Sequence, residues 1–200
     1  MIIENNKNEV TKSIYEELEK IENYTEQALF YARSNTVEKD YYIKKTSLEE
    51  MVKDSIKKNK NILIPEKTTL NLHDLDYQVN TDNKWVSFIL NQILQNSVKY
   101  KKQDDNLELE IYAKQGKQNT ILVIKDNGIG IKKGEITRVF EKGFTGTNGR
   151  KIGKKSTGIG LYLCKKLCDK LGLGLELNSV EEEGTEVKLV FPMGNFMEMK

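Results

Sequence analysis

The chain has 200 residues, 38% of them hydrophobic and 31% charged, with a formal net charge of +2. That is enough apolar material for one α/β core plus a short accessory element, and too little charge imbalance for a nucleic-acid or membrane-surface binder. No run approaches the roughly 18 apolar residues that a spanning helix needs, and the opening Met1-Ile2-Ile3-Glu4 is too short an apolar stretch for a signal peptide.

The first predicted element is a helix over residues 8 to 34. Ile14, Leu18, Ile21, Thr25, Ala28 and Ala32 recur at alternating spacings of four and three, a heptad seam that calls for a partner helix. Packing on its own domain is the plainer alternative. Residues 35 to 46 read as a linker leading into a strand. Ser47-Leu48-Glu49-Glu50 is a capping box, which starts a helix running to about Lys58. Thr68–Leu72 and Tyr77–Asn80 are strand-like, and a long helix spans about Asp82 to Tyr100. Strands Leu107–Ala113 and Thr120–Lys125 follow, joined by a turn holding Gly116. A glycine-rich stretch from Asp126 to Gly160 carries short helical pieces only. A helix over about Gly158–Leu171 and strands near Leu175–Ser179 and Thr185–Pro192 close the chain. The order predicts an α+β fold, a two-layer α/β sandwich with helices on one face of a mixed sheet, plus the N-terminal bundle or coiled-coil helix. Cys164 and Cys168 lie four apart in an apolar helical pattern and are expected to be reduced and partly buried.

Four stretches carry candidate chemistry. In Asn91–Tyr100, Gln92, Asn96 and Lys99 share one helical stripe. Amide oxygens suit Mg²⁺ and a lysine suits phosphate, although an ordinary polar face has the same pattern. Asp126-Asn127-Gly128-Ile129-Gly130-Ile131 follows a strand. Its carboxylate can accept a hydrogen bond from an exocyclic amine, and its glycines allow close backbone approach, yet Asp-Asn-Gly is equally turn chemistry. Val139–Thr145 places Phe140 and Phe144 around a charged pair, either a loop anchor or a short amphipathic helix. Ser156-Thr157-Gly158-Ile159-Gly160-Leu161 opens a helix, where freed N–H groups favour anions. Before it, a long basic loop holds Arg150, Lys151, Lys154 and Lys155, either a phosphate-meeting lid or a solvated charge run.

In this order the four stretches resemble the N, G1, F and G2 boxes of the histidine-kinase ATP-binding domain, over about residues 40 to 192. The resemblance implies ATP held without a P-loop, between the N-box helix and a flexible lid. It implies Mg²⁺ at Asn96 with assistance from Gln92, the pair also expected to act in catalysis. Lys99 and Tyr100 match the nucleotide-contacting pair, Asp126 the adenine-reading aspartate, and Gly128, Gly130, Gly158 and Gly160 the box glycines. Ile131, Phe144, Thr157 and Leu161 join the nucleotide-binding set, as does Thr185 of the Gly184-Thr185 pair.

Two features depart from the family pattern or extend it. Many members have asparagine where Gln92 stands. The lone histidine, His73, sits in a strand-like stretch and is expected to be an ordinary residue. The expected organisation is therefore residues 1–38 as the second helix of a dimerisation hairpin, whose histidine-bearing first helix would precede Met1. Residues 39–194 would be the ATP-binding catalytic domain and 195–200 a tail. The implied activity is phosphoryl transfer from ATP to a histidine outside this chain, with no autophosphorylation by the chain alone. A serine kinase of the anti-sigma-factor type, a gyrase- or chaperone-type ATPase, or a degenerate ATP sensor are the alternatives. The implied partners are a response regulator and a second parent copy, with no nucleic acid. Ile21–Arg33, Asp82–Leu90 and the lid sequence are similar to Firmicute kinases that sense through the membrane beside antimicrobial-peptide ABC transporters. That implies a transporter partner and a membrane-bound parent with this part in the cytoplasm.

Overall fold

A computed structural model describes residues 2–35, 41–103, 105–147 and 157–193, apart from a number of side chains in the first helix. Two compact units emerge, Met1–Lys39 and Asp40–Lys200.

The first unit is one helix, α1 (Ile2–Asn35), which begins earlier than the heptad pattern announces because its first turns are polar yet still helix-compatible. Its seam lies bare: Ile14 is 55%, Leu18 54% and Ile21 59% exposed.

The second unit contains β1 (Lys44–Ser47), α2 (Leu48–Lys58), α3 (Lys60–Leu63), β2 (Thr69–His73), β3 (Gln78–Thr81) and α4 (Asn83–Lys99). These are followed by β4 (Glu108–Gln115), β5 (Asn119–Asp126), a 3₁₀ turn at Ile136–Arg138, α5 (Gly160–Lys170), β6 (Gly174–Val180) and β7 (Gly184–Pro192). The single turn α3 has no sequence signal, being too short for a period. Ser47 caps α2 at the anticipated position, its Oγ accepting from the Glu50 N–H at 3.3 Å. Glu49 and Glu50 in the first turn and Lys57 and Lys58 in the last complement the α2 dipole. Asp82 caps α4, accepting from the Lys84 N–H at 2.9 Å, while its other oxygen accepts from the Tyr42 N–H at 2.8 Å.

Five strands form a mixed sheet in the order β2-β4-β5-β7-β6, and β1 pairs with β3 in a separate two-stranded sheet. Only β2–β4 is parallel in the larger sheet. Cross-strand register places Ala113, Leu122, Leu189 and Leu175 in one row and Ile111, Ile124, Val187 and Leu177 in the next, all on the helix-facing side. Helices α2, α4 and α5 form the opposing layer. Trp85, Phe88, Ile89 and Leu163 are among its largest fully buried side chains, each contributing about 1.5–3 kcal/mol on burial. Cys164 and Cys168 are free and buried in α5, as expected, and burial pushes the Cys168 thiol up to about 12. His73 sits in β2 with Nδ1 2.9 Å from Asp74 and Nε2 3.3 Å from Glu110, stacked on Tyr112. Among the described residues no helix is long and apolar enough to cross a membrane.

Candidate nucleotide site

The apolar rows of the sheet end abruptly. One step beyond Ile124 and Val187, the row reads Leu109, Asp126, Thr185, Ser179. Asp126 and Thr185 of this row line a cavity, with about 790 Å³ of empty space counting its mouth, between α4, the ends of β5 and β7, and the stretch from Gly130 to Gly146.

Asp126 is the anchor of this row. Its Oδ1 accepts from the N–H of Gly128 at 3.0 Å and of Thr185 at 3.2 Å, and its Oδ2 accepts from the Ser97 hydroxyl at 2.8 Å. Burial pushes its carboxyl above the usual value, and these three donors pull it back. Asn127 serves the turn itself. Its Oδ1 accepts from the Glu108 N–H and its Nδ2 donates to the Asn106 carbonyl, clamping the turn to the start of β4.

The glycines of this turn are required by close approach. A Cβ on Gly130, at φ +63°, would lie 2.0 Å from the Val180 carbonyl oxygen, and one on Gly184, at φ +130°, 1.9 Å from that of Asp126. The Ser179 hydroxyl accepts from the Ile131 N–H at 2.9 Å and donates to the Gly184 carbonyl at 2.7 Å, joining the two turns. On the helix side, the Tyr100 carbonyl accepts from the Ile129 N–H at 2.9 Å, fixing the end of α4 to the same loop.

The far rim is held separately. Glu135 accepts from both the N–H and the hydroxyl of Thr147, at 2.9 and 2.5 Å. The Gly143 N–H donates to the Gly158 carbonyl at 3.0 Å, so the two ends of the intervening segment meet. The Arg138 guanidinium lies 4.4 Å over the Phe144 ring.

Of the sequence-predicted residues, Asn96, Tyr100, Asp126, Gly130, Ile131, Phe144, Leu161 and Thr185 line the cavity together. Gln92 does not: it is buried, and its Nε2 donates to Gln95 at 3.4 Å. Lys99 lies beside the cavity with its ammonium 5.3 Å from the centre of the Tyr100 ring. Gly128 and Gly158 shape the turns without lining it, Gly160 is the first residue of α5, and exposed Thr157 caps the Ile159 N–H at 3.3 Å. The helix opens at Gly160, two residues later than expected, because Gly158 takes a left-handed φ of +64°. Arg150, Lys151, Lys154 and Lys155 lie outside the described residues. Ser97, Glu135 and Thr145 also line the cavity without being singled out in the sequence. Ser97 had one legible signal, its place one turn after the apolar Ile93 on the buried side of α4.

Residues 81–195 match the family of histidine kinase-, DNA gyrase B- and HSP90-like ATPases. The chain is 36% identical over 194 residues to the sensor histidine kinase YxdK of Bacillus subtilis (strain 168), covering 96% of this chain and 58% of that protein. It is 35% identical over 200 residues to the sensor protein kinase GraS of Staphylococcus aureus (strain JH1), covering 98% of this chain and 56% of that one. The chain thus spans little more than half the length of these curated relatives. Among solved structures, histidine kinase ThkA in complex with response regulator protein TrrA superimposes with a TM-score of 0.68 at 16% identity, over 90% of this chain and 49% of that one, a likeness of fold. With more than half its length matched, and with the cavity formed inside the matched region, the chain belongs to the histidine kinase-, DNA gyrase B- and HSP90-like ATPase family.

Proposed function

We propose that the cavity at Asp126 binds the adenine ring of ATP, and that the chain is the ATP-binding catalytic part of a sensor histidine kinase that passes the γ-phosphoryl group to a histidine. The observation that carries this reading is the polar row at the end of an apolar sheet face. A carboxylate held by three donors sits in a cavity whose apolar lining includes Ile93, Ile131, Val139, Leu161 and Val187, with Glu135 at the far rim held by Thr147. Such a site suits a flat, mostly apolar ring with one exocyclic amine. The phosphates then lie toward the Asn96 and Lys99 end of α4, where charge and hydrogen bonding do most of the work in phosphoryl transfer. The basic cluster Arg150, Lys151, Lys154 and Lys155 would meet them from the segment between Thr147 and Thr157.

Magnesium fits the donor chemistry. Asn96 offers a neutral, hard oxygen at the cavity wall, and among the described residues no cluster of three His, Cys, Asp or Glu could hold the ion alone. Its other ligands would be phosphate oxygens and water, and when bound it would neutralise phosphate charge. Gln92 would act through packing of α4.

The exposed seam of α1 supports pairing with a partner helix, and so a dimeric parent. The response regulator bound to ThkA supports such a protein as the next acceptor. The sequence features shared with Firmicute transporter-linked kinases support a membrane-bound parent beside an ABC transporter, with this part in the cytoplasm. The experiment is radiolabelled ATP supplied to the chain with a separately produced acceptor hairpin from the same parent. Acid-labile label on the hairpin histidine, and none on His73, is the expected result. Label on His73, or none on the hairpin from a chain that binds ATP, would refute the kinase reading.

A further inference from the structure

We propose that Ser97 is a specificity-determining positioning residue, whose hydroxyl commits the second oxygen of Asp126 to accepting and thereby selects a 6-amino purine over a 6-oxo purine. The inference rests on the nucleotide reading of the cavity.

The three hydrogen bonds that hold Asp126 all run inward. Oδ1 takes two backbone N–H groups, which tie it to the ends of β5 and β7. Oδ2 takes the Ser97 hydroxyl at 2.8 Å, which ties it to α4. A hydroxyl carries one proton. Its other neighbour, the Ile93 carbonyl at 3.3 Å, is farther and already serves the helix ladder, so the proton goes to the nearer charged acceptor. Ser97 is 3% exposed, which leaves water little room to take its place.

Two consequences follow for a ligand. A carboxylate has about four acceptor sites; the three donors fill three of them and favour its charged, accepting form against the pull of burial. An amine at the 6-position of a purine completes that arrangement. A 6-oxo group brings a lone pair against a carboxylate and leaves both unpaired, the arrangement that buried polar sites reject most strongly. Without the Ser97 hydroxyl, Oδ2 loses its anchor to α4. Burial then favours a neutral carboxyl, which can donate to a 6-oxo group. Adenine reading thus depends on a side chain that itself need not touch the ring.

The test is titration calorimetry of the full chain with Mg·ATP and with Mg·ITP, whose base differs from adenine by a 6-oxo group in place of the amine. Wild type is expected to prefer ATP, and Ser97→Ala to reduce that preference about tenfold. The readout is a ratio within one protein, so a general loosening of the site cancels. Equal weakening of both nucleotides, or an unchanged ratio, overturns the role of Ser97. A wild type that binds neither nucleotide, or an Asp126→Ala variant that keeps the full preference, instead overturns the nucleotide reading beneath it.

Discussion

The two walls of the cavity are built by different means. The sheet wall, from Asp126 to Ile131 and from Ser179 to Thr185, is set chiefly by close main-chain approach, with glycines where a Cβ would lie 1.9–2.6 Å from a carbonyl oxygen, and the Asp126 carboxylate and Ser179 hydroxyl pin its turns. The helix wall, α4 from Ile93 to Tyr100, is side chains on a scaffold that is itself fully packed. A backbone wall fixes where a ligand sits and tolerates almost no change. A side-chain wall leaves room to tune what the ligand is, and it can be altered one group at a time.

That contrast is tested most severely at Gly184. Its φ of +130° and the 1.9 Å approach to the Asp126 carbonyl leave no place for a methyl group. Gly184→Ala should lower stability by about 3 kcal/mol, seen as a fall in thermal midpoint of roughly 6–12 °C for a unit of this size. A midpoint within about 2 °C of wild type would mean that the sheet wall is more pliable than its geometry states.

The helix wall should answer residue by residue. Asn96→Ala should weaken Mg·ATP binding about tenfold, the loss of one charge-assisted contact. Gln92→Ala, one turn earlier but off the cavity, should change affinity by less than about threefold. Equal losses in calorimetry would return Gln92 to the site and blur the distinction between lining and supporting positions on α4.

The smallest effect belongs to His73, on the sheet away from both walls. Its hydrogen bonds to Asp74 and then Glu110 raise its pKa from the usual value. A raised folded-state pKa means that the stabilisation is present below the unfolded value, about 6.5, and is lost as pH rises through the folded value. His73→Gln should therefore lower the thermal midpoint slightly near pH 5.5 and leave it unchanged near pH 8.5, roughly one unit below and two above the unfolded pKa. A difference that persists in alkali would show that stacking on Tyr112, 4.9 Å between ring centroids, is the dominant contribution.

The same contrast explains what the sequence disclosed. Backbone demands leave glycines, and Gly128, Gly130, Gly158 and Gly184 stood out in the sequence for that reason. Asp126 stood out because it ends an apolar strand. Periodicity located α2, α4 and α5 and the strands to within a few residues, since burial patterns decide them. On the helix wall the signal weakens. Gln92, Asn96 and Lys99 share a stripe, yet α4 is buried on so much of its circumference that the polar stripe is not one surface: Gln92 is 4% exposed and lies within the packing. Ser97 carried no more signal than its place one turn after Ile93, because its partner is an aspartate 29 positions away. Glu135 was equally silent, since its partner Thr147 belongs to a loop whose path no local pattern gives.

Titration calorimetry of the wild-type chain and Asp126→Ala with a non-hydrolysable Mg·ATP analogue tests the central claim most directly. Wild type should bind below millimolar concentration, and Asp126→Ala, checked for a retained thermal transition, should lose about 10–100-fold in affinity, because the amine is left without its acceptor. Equal affinity for the two proteins would contradict the assignment of this cavity to adenine.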